Sequence, residues 1–336
     1  MRKKPENVLR KLNGQVKKLE AQGGGTLELG DGVHAIDRPL RLPASVSLCM
    51  TPHAVIKAMP KFSGEAIVIK SAGEKGIHKS CGCIRGGVID GGKQALTGLK
   101  IEYASRLEIS ELEVRDATYK GIHVVCWYEV NLSHVRCNVD LNTPYAPKSI
   151  GIHYERCGDS LIQGATIIGY ETGLRSDTWA NDIQQVHTWN YDPGQGPMKY
   201  SFYAGGIYDT YNQCYADSPA VAGFYVNRPF NRISACRIYY SRWAKDNSGS
   251  GIFVGENGGH GTYTGNVFLW DKGHALAQKY SGNLKTASIL GDNSGTMNAV
   301  PQIPSFKDGK IGDYAWVTKG KEEALYVKTK KGWQRS

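Results

Sequence analysis

Absences bound this 336-residue chain before any motif does. It has no apolar run long enough to cross a membrane, and its opening MRKKPENVLRKL is charged throughout, without the apolar centre of a secretory leader. Localisation therefore stays open; a secreted or phage-associated protein would need its leader already removed. Zinc-type cysteine spacing is missing too. Of eight cysteines the tightest pair is Cys81-Gly-Cys83, too close and too isolated for a site that needs about four ligands. Others, such as Cys137 and Cys236, take inward positions of a repeat as small apolar core groups, and disulfides stay open only for an exported protein. A basic nucleic-acid groove is also lacking. The formal charge of +10 sits at the ends, with +5 in residues 1–20 and +4 in 306–336, so the 285 residues between are nearly neutral. VIDGGK lacks the rest of a phosphate loop. No metal cluster stands out and no cofactor is expected, although Asp and Glu on adjacent repeats could bind calcium.

What is present is a repeat. GLKIEYASRLEISELEV, GIHVVCWYEVNLSHVRC and GIHYERCGDSLIQGATI align without gaps. GLRSDTWANDIQQVHT and GFYVNRPFNRISACRI align with one deletion, and a further unit starts at Gly251. Apolar residues fall at offsets of two, as in Leu107, Ile109, Leu112 and Val114, matched by Val130, Leu132, Val135 and Cys137. No helical period fits. Alternation broken by a turn predicts short strands and bends, and a chain that repeats this stacks like on like. The expected fold is all-β: one parallel β-helix over 21–275. Right-handed crossovers follow from the rule for parallel strands.

At the N-terminus, Val8, Leu9, Leu12, Val16 and Leu19 share one face of a short helix over 1–20. GGGTLELGDGVHAI, RPLRLPASVSLCM and GEAIVIK follow it. This succession resembles the opening module of the pectate-lyase-like superfamily, right-handed parallel β-helix proteins that act on carbohydrates. In them a helix covers the first coil's unpaired edge. Residues 276–310, rich in Ser, Asn, Gly and Pro, read as a linker or strap. The tail IGDYAWVTKGKEEALYVKTKKGWQRS predicts a small β module at 311–336 that cannot bury its aromatics alone. It resembles the trimerisation modules of multiplexin-type collagens and phage fibres. A homotrimer is expected, with a polysaccharide or oligosaccharide as partner and neither nucleic acid nor membrane.

Counting from each repeat glycine as zero, positions one and three face inward and two and four outward. Position two reads Lys100, His123, His153, Arg175 and Tyr225; position four reads Glu102, Val125, Glu155, Asp177 and Asn227. Coils stack at about 4.8 Å, so His123, His153, Glu155, Arg175 and Asp177 should converge on one outer face. Carboxylates one coil apart repel, which predicts one protonated and one ionised, the pair that glycoside cleavage uses. The same cluster could run a lyase reaction, with a histidine as base and Arg175 neutralising a uronate. Aromatic side chains suit sugar faces. Trp127 and Trp179 follow outward-facing strands, and Tyr225, Asn227 and Lys100 extend the face. Tyr191 and Asp192 lie in an expected interruption between Trp189 and Val221, where a site is often built.

The Gly-His-Gly around His260 resembles that of polygalacturonase-type hydrolases. The acids those enzymes carry beside the coil glycine are replaced here by Thr97, Lys120, Ile150, Thr172, Ala222 and Ser250, so His260 is not assigned a role. The function expected is cleavage of glycosidic bonds, by hydrolysis or transfer before elimination, with Glu155 and Asp177 at its centre. A non-catalytic glycan-binding, tailspike-like solenoid is the rival.

Overall fold

The structure is a computed structural model and describes residues 5–71, 82–140, 142–144, 146–189, 198–241, 249–270, 278–290, 293–300, 313–319 and 322–335. Short runs of alternating apolar and polar residues bend three times per coil and wind into a parallel β-solenoid. Three sheets of 11, 14 and 10 strands run along it. One coil shows the logic: Thr97–Glu102, Leu107–Ser110 and Glu113–Ala117 each lie on a different sheet, and Lys120–Val125 then returns onto Thr97–Glu102. The register pairs Ile122 with Leu99 and His123 with Lys100, so equal offsets in the repeat become columns in space.

The inward column of the ten-stranded sheet is Leu99, Ile122, Ile152, Leu174, Phe202, Phe224 and Ile252, all fully buried. Each contributes on the order of 1.5–3 kcal/mol by leaving water, and Phe202 and Phe224 stack at 4.6 Å. Cys137 lies on Val114 in the next coil, and the seven described cysteines are free thiols. The repeat glycine has a packing reason. A Cβ at Gly98 would meet Val114 Cγ1 at 2.3 Å, and one at Gly151 would meet Ile167 Cγ2 at 2.1 Å. The glycine position therefore points inward, beside the inward residue that follows it. The residue before the glycine is turned outward in consequence.

The helix Pro5–Ala21 buries Leu9, Leu12 and Val16 against the first strands, with Val8 and Leu19 partly covered, as the apolar face predicts. Two boundaries differ from the sequence reading. The interruption expected between Trp189 and Val221 holds a whole coil: Tyr200–Ala204, Thr210–Asn212 and Tyr215–Asp217. Its glycine position is taken by Ser201, which concealed the repeat. The solenoid also continues past 275. Gln278–Gly282, Ser288–Leu290 and Asn293–Val300 add one strand to each sheet, in a stretch whose polar, glycine-rich composition looked like a linker. Asp313–Lys319 then pairs parallel with Asn293–Val300 and antiparallel with Glu322–Thr329, which pairs with Gly332–Arg335.

Candidate active site

The cluster lies on the outer face of the ten-stranded sheet, on three successive strands: Lys120–Val125, Ile150–Glu155 and Thr172–Asp177. Register places His153 beside both His123 and Arg175, and Glu155 beside Asp177. The imidazoles of His123 and His153 stack at 4.8 Å, 3° from parallel, because strand pairing sets their separation. Each histidine reaches a carboxylate of the following strand: His123 Nε2 lies 3.1 Å from Glu155 Oε2, and His153 Nε2 3.0 Å from Asp177 Oδ2. The Arg175 guanidinium donates to the same Asp177 oxygen.

Lys120 completes the group, and the sequence reading passed over it. As the residue before a coil glycine it faces outward. Its Nζ lies 3.0 Å from His153 Nδ1 and 3.4 Å from His123 Nε2, and over the Tyr119 ring at 5.6 Å. The signal was readable in principle: a glycine that packs inward beside an inward residue breaks strict alternation. The residue is 9% exposed. An Nζ–H of Lys120 donates to His153 Nδ1, which leaves the ring proton of His153 on Nε2, facing Asp177.

Charge in this cluster departs from the expectation drawn from repulsion. Burial alone would raise both carboxyls. The hydrogen bond from His123, with the charges of His153, His123 and Lys120, outweighs burial and holds Glu155 below its ordinary pKa. The bonds and charges of His153 and Arg175 do the same for Asp177. Both carboxyls are ionised at neutral pH because each has its own cationic or N–H partners. The basic groups move the other way. Burial, then Lys120 and His153, lowers His123 to about 4. Burial also lowers His153, against the bond it gives to Asp177, and lowers Lys120, with Arg175 and Lys100 adding to it against Glu155 and Asp177. The site thus holds nitrogens of lowered basicity next to a permanent guanidinium.

Other expected site residues fall around this core. Lys100 is bound to Glu102 at 2.8 Å and Glu65 at 3.3 Å, and Lys70 also reaches Glu102, so it belongs to a closed ion network. Trp127 and Trp179 sit half-buried in the turns after the site strands. Trp179 packs edge-on to Tyr128 at 6.1 Å and fills the space over Gly158, so part of its role is structural. Tyr225 stacks on Tyr203 at 5.0 Å, and Asn227 lies beyond it on the same strand's end. Tyr191 and Asp192 lie outside the described residues. His260, left unassigned, stacks on Phe230 at 5.3 Å in a turn away from the cluster.

His123, His153 and Glu155 offer ligand atoms within 4.8 Å of one another, the nearest approach to a metal set among the described residues. Two imidazoles and a carboxylate suit a transition metal and not the all-oxygen shell of calcium. Lys120 Nζ already occupies His153 Nδ1, and His123 Nε2 is given to Glu155. The adjacent acids suited to calcium, Glu155 and Asp177, are a different pair, and their oxygens are taken up by His123, His153 and Arg175.

No protein-family model and no curated sequence matches the chain. Solved structures do match in three dimensions. The A-module of the mannuronan C-5 epimerase AlgE4 of Azotobacter vinelandii is similar over 85% of this chain and 83% of its own, with a TM-score of 0.64 at 15% identity. The Dettilon tailspike protein is similar over 94% and 72%, with TM-score 0.58 at 12% identity. The tailspike of Escherichia coli bacteriophage HK620, solved with a pentasaccharide, is similar over 86% and 63%, with TM-score 0.50 at 11% identity. This chain spans 40% of one further phage tailspike, that of CAB120. What it shares with them is the fold, a right-handed parallel β-helix.

Proposed function

We propose that this protein is a carbohydrate-active enzyme working on a uronate-containing polysaccharide, and that its reaction begins by removing the proton next to the uronate carboxylate. The observation that carries this is the cluster's geometry and charge: Lys120 Nζ at 3.0 Å from His153, nitrogens on Lys120, His123 and His153 whose pKa burial lowers, a neighbouring Arg175, and two carboxyls held below their ordinary pKa by histidine and arginine partners. Hydrolysis by the acid–base pair first expected of Glu155 and Asp177 needs one protonated carboxyl. Both are held ionised, which disfavours that route.

In this reading Arg175 pairs with the sugar carboxylate and stabilises the negative charge that develops on it. The Lys120 amine takes the proton. Asp177 fixes the His153 tautomer, and His153 Nδ1 holds Lys120 in place; His123, tied to Glu155, forms the other wall. The electron pair left on the sugar then expels the glycosidic oxygen at the adjacent ring carbon, which takes the proton now on Lys120 and leaves an unsaturated sugar, or the carbon takes a proton from water on the other face, inverting that centre. Both outcomes share the first step. Fold neighbours named as a mannuronan epimerase and as tailspikes support carbohydrate chemistry without choosing between the outcomes.

The test is incubation with uronate polysaccharides in D2O, read by NMR for exchange at the carbon bearing the carboxylate, by ultraviolet absorbance for unsaturated product, and by reducing ends. Exchange or unsaturation, lost in Lys120→Ala, is the expected result. Reducing ends without either would restore the hydrolytic reading of Glu155 and Asp177. Retention of the glycan with no product at all would leave a binding solenoid.

A further inference from the structure

The basic charge at the start of the chain gathers in one place. In the helix Pro5–Ala21, Arg10 and Lys17 stand two turns apart and so share one side, next to the apolar side of Leu9, Leu12 and Val16. With Arg38, Arg41 and Lys70 they line a cavity of about 850 Å³. It opens between the helix and the first two strands of the ten-stranded sheet, Leu40–Pro43 and Glu65–Lys70. Cations from a helix, a bend and two strands thus converge on one hollow. Lys70 is bound to Glu102 at 3.3 Å, and Arg38 lies 3.7 Å from Asp37. Among the described residues, Arg10, Lys17 and Arg41 have no carboxylate within ion-pair distance, and Glu20 is the one acid in the lining.

Gly14 lines the same hollow, midway between Arg10 and Lys17. A glycine inside a helix weakens it relative to alanine. Packing does not account for this one, because a Cβ there would meet nothing within 4 Å. Bare backbone at that point keeps the hollow open between the two cations. Pro39 and Pro43 form part of the wall and offer apolar surface to the C–H faces of a sugar.

The hollow belongs to the sheet that carries the cluster. Register runs Arg41–Val68–Lys100–His123–His153–Arg175, five coil steps of about 4.8 Å, so Arg41 stands about 24 Å from Arg175 along the face. That exceeds the Debye length of about 8 Å at physiological salt, so the hollow acts on a ligand by contact and not through a distant field. A pyranose advances a glycan by about one coil spacing. A chain laid along this column with one carboxylate at the cluster therefore has another over the hollow about five units on. Between the two it crosses the closed network of Lys70, Glu102, Lys100 and Glu65, whose cations are already paired. We propose that the hollow between the N-terminal helix and the first strands is a distal subsite for carboxylates of an anionic glycan, so that the protein favours uronate chains long enough to reach from the cluster to Arg41. This rests on the cluster as the uronate-binding centre.

Oligomannuronates and oligogalacturonates of three and eight units, labelled at the reducing end and titrated with the full chain, test it by fluorescence anisotropy. In at least one series eight units should bind at least about tenfold more tightly than three, because the second contact is made within one molecule. Arg10→Gln/Lys17→Gln/Arg41→Gln should lose that step. Gly14→Leu should lose it as well, with every charge kept and a better helix former in place. Removing three exposed cations elsewhere, Arg136→Gln/Arg232→Gln/Lys331→Gln, should keep it, and circular dichroism of all three variants checks that the β fold persists. Equal affinity for both lengths overturns the proposal, as does binding of neither. A step that survives in either of the first two variants, or that the third removes, also overturns it. Single-stranded DNA of eight nucleotides binding as tightly as eight uronates would assign the hollow to another class of polyanion and overturn it too. Proton exchange in D2O is read separately: a length step without exchange sinks the proposed chemistry and leaves the subsite standing, and exchange without the step does the reverse.

Discussion

Lys100 and Lys120 stand on adjacent strands of one sheet face and have opposite surroundings. Lys100 lies between Glu102 and Glu65. Burial works against its charge, but the bonds and charges of the two glutamates outweigh it, and its pKa rises above the ordinary lysine value. Lys120 is more deeply buried, and the partners it touches are two imidazoles that offer no negative charge. Burial dominates, the distant pull of Glu155 and Asp177 does not compensate, and its pKa falls. The same residue type, one coil apart, is a structural cation in one place and a candidate base in the other. The difference lies in what each amine touches.

The largest expected effect is on that contrast itself. Lys120→Ala should lower turnover by about a thousandfold, within the usual range for losing an acid or base, while Lys100→Ala stays within about threefold of wild type. Lys120→Arg should be as inactive as the alanine, since a guanidinium keeps charge but does not deprotonate. Equal losses at both lysines would erase the distinction.

Next come the carboxylates. Asp177→Asn and Glu155→Gln should each cost about a hundredfold in turnover, whereas Glu102→Gln, two coils from Glu155, should cost little. Activity should fall as pH drops through the lowered pKa of Lys120, when the amine gains its proton. Asp177 pulls that pKa up, so Asp177→Asn should shift the acid limb of the pH–rate profile to lower pH. A limb that stays put would remove Asp177 from the electrostatics of the base.

Stability should respond to pH through two groups of opposite sign. His123 has a folded pKa of about 4 against an ordinary 6.5, so the unfolded chain binds more protons between those values and stability falls as pH drops from 6.5 to 4. Asp209 is buried in a ladder where Asn181 N–H and Ser176 Oγ donate to it, and burial raises it to about 7. Here the folded state binds more protons, so stability is lost as pH rises from about 4 to about 7. Asp209→Asn should raise stability at pH 8 by roughly 1–2 kcal/mol, the scale of one buried unsatisfied group. It should also expose the His123 loss in acid. Denaturant melts across this range measure both, and an Asp209→Asn protein no more stable than wild type at pH 8 would refute the second.

The smallest effect concerns assembly. Light scattering should give three times 36.8 kDa, and deletion of 311–336 should weaken that trimer without abolishing the β signal in circular dichroism. A monomer mass for the full chain would end the expectation of a trimer. The strands from Asp313 to Arg335 would then be read as a cover for the sheet edge at Asn293–Val300.

Much of this was legible in one dimension. A glycine-led period with alternating apolar residues implies a solenoid, because each short strand can bury its inward side only against a copy of itself. The columns His123–His153–Arg175 and Glu155–Asp177 follow from equal offsets. Three things did not follow. Ser201 hid a coil, since a residue barely larger than glycine fits the tight approach without announcing it. Lys120 was hidden because the glycine after it packs inward and reverses the alternation, a matter of how closely two strands approach. The protonation of the carboxyls was misjudged because repulsion between neighbours was visible in the sequence, whereas the diagonal pairing to His123, His153 and Arg175 was not. The sequence alone decided which residues share a face; the tertiary structure decided which atoms touch, and pKa depends on contacts at 3 Å that spacing along a chain does not encode.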